Sequence, residues 1–207
     1  MKPYPLPSGW RWARLGDLCE INPSRPRNFQ REYSDLTSLV PMSAVDEKKG
    51  IIRLETVPYS EVSKGYTFFA ENDVLFAKIT PCMQNGKHMI ARSLVDGIGF
   101  GTTEFHVLRP GKDILPEWVW YFIRRECFLQ EATTYFTGVV GQQRVPENFL
   151  ANHNIPCPSL SVQKHLVAKL KEKDEKSNSI SIAAKRQLDN INVIPETILN
   201  RAFKGEL

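Results

Sequence analysis

The sequence contains no apolar run long enough to span a bilayer, and its first residues, MKPYPLPSGWRW, lack the apolar core of a secretory leader. We therefore expect a cytoplasmic protein without a membrane segment. The composition is 42% hydrophobic and 10% aromatic, which is ordinary for a globular fold and excludes a wholly disordered chain.

Cysteine and histidine are both scarce. Each occurs four times, with no C-x-x-C pair and no histidine at ligand spacing beside a cysteine. The scattered positions are Cys19, Cys82, Cys127 and Cys157, together with His88, His106, His153 and His165. This pattern predicts buried, reduced thiols and no metal site.

Signatures of catalysis are also missing. The chain has no G-x-S-x-G elbow, no H-E-x-x-H pair and no P-loop. The stretch nearest to an amino-methyltransferase motif, Asn22–Arg25, has a single proline and no aromatic residue. The glycines between Gly97 and Gly101 precede a strand-like stretch rather than a helix, so we interpret them as a tight bend and not a nucleotide loop. These absences predict a protein that is not an enzyme.

The net charge is only +4, with an isoelectric point near 8.9. This basic excess permits a polyanionic partner without requiring one.

The middle of the chain has the pattern of short strands separated by Gly, Pro, Asn and Asp. The predicted strands are Leu39–Val40, Ile51–Ile52, Val74–Ile79, His88–Ala91 and Thr102–Leu108. After them, Pro116 begins a predicted aromatic-rich core helix that continues through Leu129, and the prolines of Ile155–Leu160 predict an extended segment. The resulting prediction is an α+β fold with an irregular, mostly antiparallel sheet.

The C-terminal run from Ser161 to Asn192 contains no glycine or proline and has helical periodicity. A helix of about 30 residues is roughly 45 Å long, which suits a spacer. Ser161 is the expected cap, Ser177 and Ser181 favour close pairing over a regular zipper, and a separate short helix is expected from Pro195 to a stop at Gly205. The apolar stripe predicted to pair with a second copy contains Leu166, Leu170, Ile180, Ala184, Leu188 and Ile191. The predicted domains are residues 1–160 and 161–207.

Two loops, and one strand with the turn that follows it, carry side chains suited to DNA. Arginine beside an aromatic residue in a mobile loop suits phosphate, and glutamine, asparagine and arginine can bind base edges. The candidates are Arg25 and Arg27, then Lys78, Asn85 and Lys87, and finally Gln142, Gln143 and Arg144. The alternatives are a solvated loop for the first group, a solvent-facing hairpin for the second and an ordinary surface loop for the third.

Seven stretches, taken in their order along the chain, resemble the specificity subunit of type I restriction-modification systems. They are Leu6–Trp10, Leu15–Asp17, Asn72–Ile79, Gly101–Leu108, Gly141–Val145, Ile155–Gln163 and Ile198–Leu207. The chain departs from the family at Ser159 and Val162, where Pro and Glu are frequent, and this affects only how the long helix begins. Because Gly141–Gln143 resembles a recurrent motif in a family whose members read different sequences, the resemblance implies that it positions the fold rather than selects bases.

The resemblance implies a target-recognition domain followed by a long helix that holds modification subunits. Usual members are about twice as long, with two such domains, so we infer a half-length form that forms a homodimer through antiparallel helices and reads an inverted repeat in double-stranded DNA. The restriction subunit would join through the complex. By the same resemblance, S-adenosylmethionine belongs to the modification subunit and ATP to the restriction subunit, so no cofactor is expected here. The alternative functions are a dimeric protein-interaction scaffold without DNA binding and an enzyme that lacks a recognisable motif.

Overall fold

The computed structural model describes residues 4–47, 50–51, 53–139 and 141–206. The chain forms two compact units, which we call the N-terminal and C-terminal units, with the boundary between Gln163 and Lys164. No helix in the described ranges is both long and apolar enough to cross a membrane.

The strands all lie in the N-terminal unit. They are β1 (Arg11–Arg14), β2 (Cys19–Ile21), β3 (Leu36–Val40), β4 (Val45–Asp46), β5 (Gly50–Ile51), β6 (Glu55–Pro58), β7 (Thr67–Ala70), β8 (Val74–Ala77), β9 (His88–Ile90), β10 (Ile98–Gly101), β11 (Phe105–Pro110) and β12 (Asn154–Cys157). The helices are α1 (Leu15–Leu18), α2 (Tyr59–Val62), α3 (Pro116–Ile123), α4 (Glu126–Thr133), α5 (Glu147–Asn152) and α6 (Leu160–Phe203). Each of the five predicted strands overlaps an observed one, although Ile52 lies outside the described residues.

Two four-stranded sheets dominate the fold, with strand orders β6-β3-β10-β7 and β2-β11-β8-β9. Two-stranded ribbons join β1 to β12 and β4 to β5. Among the described strands every pairing is antiparallel except that of β3 with β10. The predicted α+β fold with a mostly antiparallel sheet is confirmed.

Strand β8 explains why the core has two layers. Its four residues are all fully buried, and alternate side chains point to opposite faces of the sheet. Val74 and Phe76 join the cluster that contains residues of α3, α4 and α5, whereas Leu75 and Ala77 join a second cluster. A strand covered on both faces reads as a continuous apolar run, as this one does.

The predicted bend at Gly97–Gly101 is wrong, because most of this stretch is strand β10. A Cβ atom on Gly99 would lie 2.8 Å from Cζ of Phe69, a separation too short for real atoms. Glycine is therefore required here by the approach of a phenylalanine ring on the neighbouring strand rather than by a turn.

The predicted single helix from Pro116 to Leu129 is divided into α3 and α4. Arg125 adopts an extended conformation with ψ 134°, and its Nε donates to the carbonyl oxygen of Phe122 at 3.1 Å. The guanidinium also lies 3.8 Å from the centroid of the Phe122 ring. This local contact satisfies a carbonyl at the end of α3 and allows the chain to turn.

Helix α6 differs from its predicted limits at both ends. It begins at Leu160, which places Ser161 inside the first turn rather than at the cap. It also continues through Pro195 to Phe203, so the predicted separate terminal helix is wrong. Proline removes one N–H donor from the helix. The predicted stop at Gly205 is confirmed, because its φ is +70° and the N–H of Glu206 donates to Arg201 O at 2.9 Å.

The thiol prediction is confirmed for half of the cysteines. Cys19 and Cys157 are buried, whereas Cys82 and Cys127 are partly exposed, and all four are free. Burial raises the pKa of Cys19 to about 12, which makes its thiolate inaccessible at neutral pH. Within the described ranges, no three His, Cys, Asp or Glu residues gather in a group that could hold a metal ion.

Candidate nucleic-acid interface

Residues 137–144 form a loop that we call the Gln loop, of which Val140 lies outside the described residues. Its two ends pair: Arg144 N–H donates to Thr137 O at 2.9 Å, and Thr137 N–H donates to Arg144 O at 3.0 Å. Gly138 and Gly141 have φ values of +103° and +87°, a conformation that favours glycine. The Gln loop therefore begins and ends at a paired stem, which Thr137 and Arg144 form.

The stem of the Gln loop lies against the end of β8. Val145 N–H donates to Lys78 O at 2.9 Å, and Thr80 N–H donates to Gln143 O at 3.0 Å. These backbone bonds bring together Lys78, Gln143 and Arg144, which were predicted as candidates from two distant parts of the chain. Gln142 is exposed on the same loop.

The side chain of Arg144 is fully engaged within the protein. Its Nε and Nη2 donate to the two carboxylate oxygens of Glu104 at 2.8 and 2.7 Å, and its Nη1 donates to Gln142 O at 2.9 Å. The hydrogen bonds from Arg144 hold the pKa of Glu104 below its usual value. This geometry makes Arg144 a clamp on its own loop, and Glu104 is a partner that the sequence analysis missed.

The turn after β8 holds the remaining candidates of the second group. Asn85 is exposed, and its backbone N–H donates to Pro81 O at 3.0 Å. Lys87 is half-buried, and its Nζ lies 3.5 Å from the carbonyl oxygen of Met42. Asn85 therefore presents its amide to solvent, whereas Lys87 is drawn toward the protein.

The structure places Arg25 in an aromatic cluster. Its guanidinium lies 5.3, 5.8 and 5.1 Å from the ring centroids of Phe29, Tyr59 and Phe100. Its Nη1 donates to the Tyr59 hydroxyl at 2.7 Å. Cation–π contact and a hydrogen bond explain why this arginine packs on the domain. Arg27, two residues later, is exposed.

A buried polar network lies behind the Gln loop. His106 on β11 has Nε2 at 2.9 Å from Val145 O and Nδ1 at 3.0 Å from Nδ2 of Asn22. Asn22 Nδ2 also donates to Glu147 Oε2 at 2.7 Å. Burial lowers the pKa of His106, so the neutral ring is favoured. No sequence signal joined Asn22 to His106, because 84 positions separate them.

Comparison with known proteins gives a consistent family. Residues 7–190 match the family model described as the type I restriction modification DNA specificity domain. The type I restriction enzyme EcoAI specificity subunit of Escherichia coli is 35% identical over 200 residues, covering 96% of this chain and 33% of that protein. The EcoEI specificity subunit of the same organism is 37% identical over 169 residues, covering 80% of this chain and 28% of that protein.

Two solved structures share the fold. One, from work on complex assembly and conformational transition of the type I R-M system, has a TM-score of 0.81 at 24% identity, covering 97% of this chain and 51% of its own. The other, the HsdS subunit from Thermoanaerobacter tengcongensis, has a TM-score of 0.74 at 24% identity, covering 95% of this chain and 50% of its own.

The chain spans about a third of the length of the curated relatives and about half of the solved chains. The matched range includes both the Gln loop and most of α6. The chain belongs to the type I restriction modification DNA specificity domain family.

Proposed function

We propose that this chain is a DNA sequence-recognition subunit of a type I restriction-modification complex and that its N-terminal unit reads one half of a bipartite target. The observation that carries the proposal is the family match over residues 7–190. The exposed amide groups of the Gln loop and the turn after β8 support it, because amides form paired hydrogen bonds with base edges.

The eight candidates divide into two roles in this proposal. Arg27, Asn85 and Gln142 are exposed and reach DNA directly, and the partly buried Lys78 and Gln143 support the Gln loop beside the end of β8. Arg25, Lys87 and Arg144 hold the surface in shape through their contacts with Tyr59, Met42 and Glu104. Cations near the phosphates make affinity fall as salt rises, and the amides give sequence preference.

Helix α6 is proposed to pair two copies of the chain. Its predicted stripe includes Ile180, Leu188 and Ile191, which are 69%, 57% and 60% exposed in the single chain. An isologous antiparallel pair would cover these side chains and present two identical readers to an inverted repeat. If the helix separates domain centres by roughly 35 to 45 Å, the half-sites lie somewhat more than one DNA turn of 34 to 36 Å apart.

The proposed complex assigns the chemistry to other subunits. The chain itself is non-catalytic, and it directs a modification subunit, which uses S-adenosylmethionine, and through the complex a restriction subunit, which uses ATP. A subunit of this kind acts in the cytoplasm, where the DNA is. The scaffold alternative assigns protein binding to α6 and no DNA binding to the N-terminal unit.

An electrophoretic shift with a random-sequence duplex, with and without a modification subunit, tests the proposal. We expect binding that weakens as salt rises, and sequence selection from the bound pool should recover an inverted repeat. Asn85→Ala should change the recovered sequence, whereas Gln130→Ala, which alters an exposed amide on α4 bonded to Glu126, should not. Absence of binding even in the complex would favour the scaffold.

A further inference from the structure

We propose that His106 is a positioning residue for DNA recognition, which together with Asn22 fixes the stem of the Gln loop and so the placement of Gln142. This inference rests on the proposed function, since it assigns a role within that same surface. His106 itself is only 6% exposed and lies behind the loop, so it acts through the backbone rather than by touching DNA.

The orientation of Asn22 determines what His106 does. Asn22 Oδ1 accepts the N–H of Val107 at 3.0 Å, and Nδ2 donates to Glu147 at 2.7 Å. Nδ1 of His106 lies 3.0 Å from this amide nitrogen and 3.3 Å from Asn22 Oδ1, and in the neutral ring it accepts from the nitrogen, which is the shorter contact. Because Nε2 faces the carbonyl oxygen of Val145 at 2.9 Å, it must donate. Both bonds are satisfied by one tautomer, the neutral ring with its proton on Nε2.

The network of Asn22 and His106 acts on the Gln loop through Val145. Its N–H is bound by Lys78 O and its carbonyl by His106, so the peptide groups on both sides of this residue are fixed. Its side chain is also buried, at 1% exposure. Arg144 precedes it directly and continues the clamp through Glu104. Without His106, a buried carbonyl loses its partner and one side of the stem is released.

Protonation of His106 would disturb the same arrangement. With a proton on Nδ1, the ring could no longer accept from Asn22 Nδ2 and would be left with the longer contact to Asn22 Oδ1, at 3.3 Å. Three charged groups act on the ring: Lys78 disfavours protonation, whereas Glu147 and Glu104 favour it. Burial is the largest influence and keeps the ring neutral. At neutral pH the ring therefore keeps the tautomer that binds the carbonyl oxygen of Val145.

Two substitutions separate positioning from packing. His106→Gln can still donate to Val145 O and does not titrate, whereas His106→Leu fills the space without either bond. His153→Leu is the matched control, since it changes a partly buried histidine that packs on Phe128 and Phe149 instead of on the loop.

The measurement is fluorescence anisotropy of the full chain with a random-sequence duplex, at a temperature well below unfolding of every variant. We expect His106→Leu to weaken binding about tenfold, since a lost hydrogen bond to a buried carbonyl has an effect of this order. We expect His106→Gln to stay within about threefold of the wild type. His153→Leu should lower the melting temperature and leave affinity unchanged.

Hydrogen exchange gives a readout that does not need DNA. In His106→Leu, the amides of Gln143 and Arg144 should exchange faster, while those of β9 keep their wild-type rates. Wild-type affinity or unchanged loop exchange in this variant would overturn the inference. If the wild type binds no duplex, alone or with a modification subunit, the proposed function fails and the recognition role of His106 fails with it, while exchange still reports whether His106 holds the stem.

Discussion

The two units of this chain differ in where their large apolar side chains lie. In the N-terminal unit, Phe69 and Phe76 are fully buried, whereas in the C-terminal unit Ile180 and Phe203 are 69% and 89% exposed. Burial of a phenylalanine contributes roughly 1.5 to 3 kcal/mol, and an exposed one contributes little. In the single chain, large apolar side chains therefore stabilise the N-terminal unit, whereas Ile180 and Phe203 contribute little to the stability of the C-terminal unit.

Ile180→Asp should have the largest effect of the substitutions that test this difference, and the quantity that it changes is the dissociation constant of the proposed dimer. In the proposed dimer each copy would bury one uncompensated carboxylate, at a cost of several kcal/mol per charge, so the dissociation constant should rise at least about a hundredfold. Sedimentation velocity at two concentrations measures it. Ile182→Asp is the matched control, since Ile182 is also exposed, at 53%, but lies on another face of α6. Equal weakening by both substitutions would rule out the predicted stripe.

Phe69→Ala should have the next largest effect, a loss of about 3 to 5 kcal/mol in the free energy of unfolding of the N-terminal unit. The ring is fully buried and fills the space beside Gly99, so its removal leaves a cavity. Urea denaturation followed by tryptophan fluorescence measures the change. Phe203→Ala, the same substitution at an exposed position, should leave this transition in place; similar losses for both would contradict the contrast between the units.

Lowering the pH from 7 to 5 should have a smaller effect, a loss of about 2 kcal/mol in the free energy of unfolding of the N-terminal unit. His88 is fully buried, and burial lowers its pKa to about 3 from 6.5. Below pH 6.5 the imidazole of His88 binds a proton in the unfolded chain but not in the folded chain. The stability that the neutral ring supports is therefore complete above pH 6.5 and is lost as the pH falls toward 3. Between pH 7 and 5 the wild type should lose about 2 kcal/mol more than His88→Asn.

Urea denaturation at the two pH values measures this loss. Asparagine can replace Nδ1 of His88 as acceptor for the N–H of Ala77, which keeps the comparison conservative. His165→Asn makes the same change on the exposed surface of α6 and should keep the wild-type pH dependence. If the free energy of unfolding of His88→Asn fell between pH 7 and 5 as much as that of the wild type, His88 would not be the source of the acid sensitivity of the N-terminal unit.

The elements predicted correctly from the sequence are those with local causes. Pro116 begins α3 because its missing N–H is not needed in a first turn, and Gly205 ends α6 because it tolerates a positive φ. The continuous apolar run of β8 likewise identified a strand. The bend predicted at Gly97–Gly101 is wrong because of a contact with a distant residue, the ring of Phe69 beside Gly99, whereas the break between α3 and α4 comes from the local contact of Arg125 with Phe122.

The sequence indicates which residue types could bind DNA, but it does not indicate which residues hold them in place. Two glycines followed by two glutamines and an arginine predict the Gln loop, and backbone bonds do bring it to Lys78. The partners that hold it, Glu104 and His106, lie 40 and 39 positions from Arg144 and Val145 and show no pattern of their own. Local composition can show that a side chain suits DNA, but only the fold shows whether its donors are already occupied.

The pairing of β1 with β12 has a consequence for how this fold can be reused. Arg11 lies opposite Cys157 and Arg14 opposite Asn154, so the chain enters and leaves the sheet region on neighbouring antiparallel strands. Adjacent strands lie about 4.8 Å apart. A segment whose two ends meet so closely can be cut out, exchanged or repeated along a longer polypeptide without stretching its flanks. The two ends of the N-terminal unit therefore lie side by side, so a longer polypeptide could hold the unit through one compact junction.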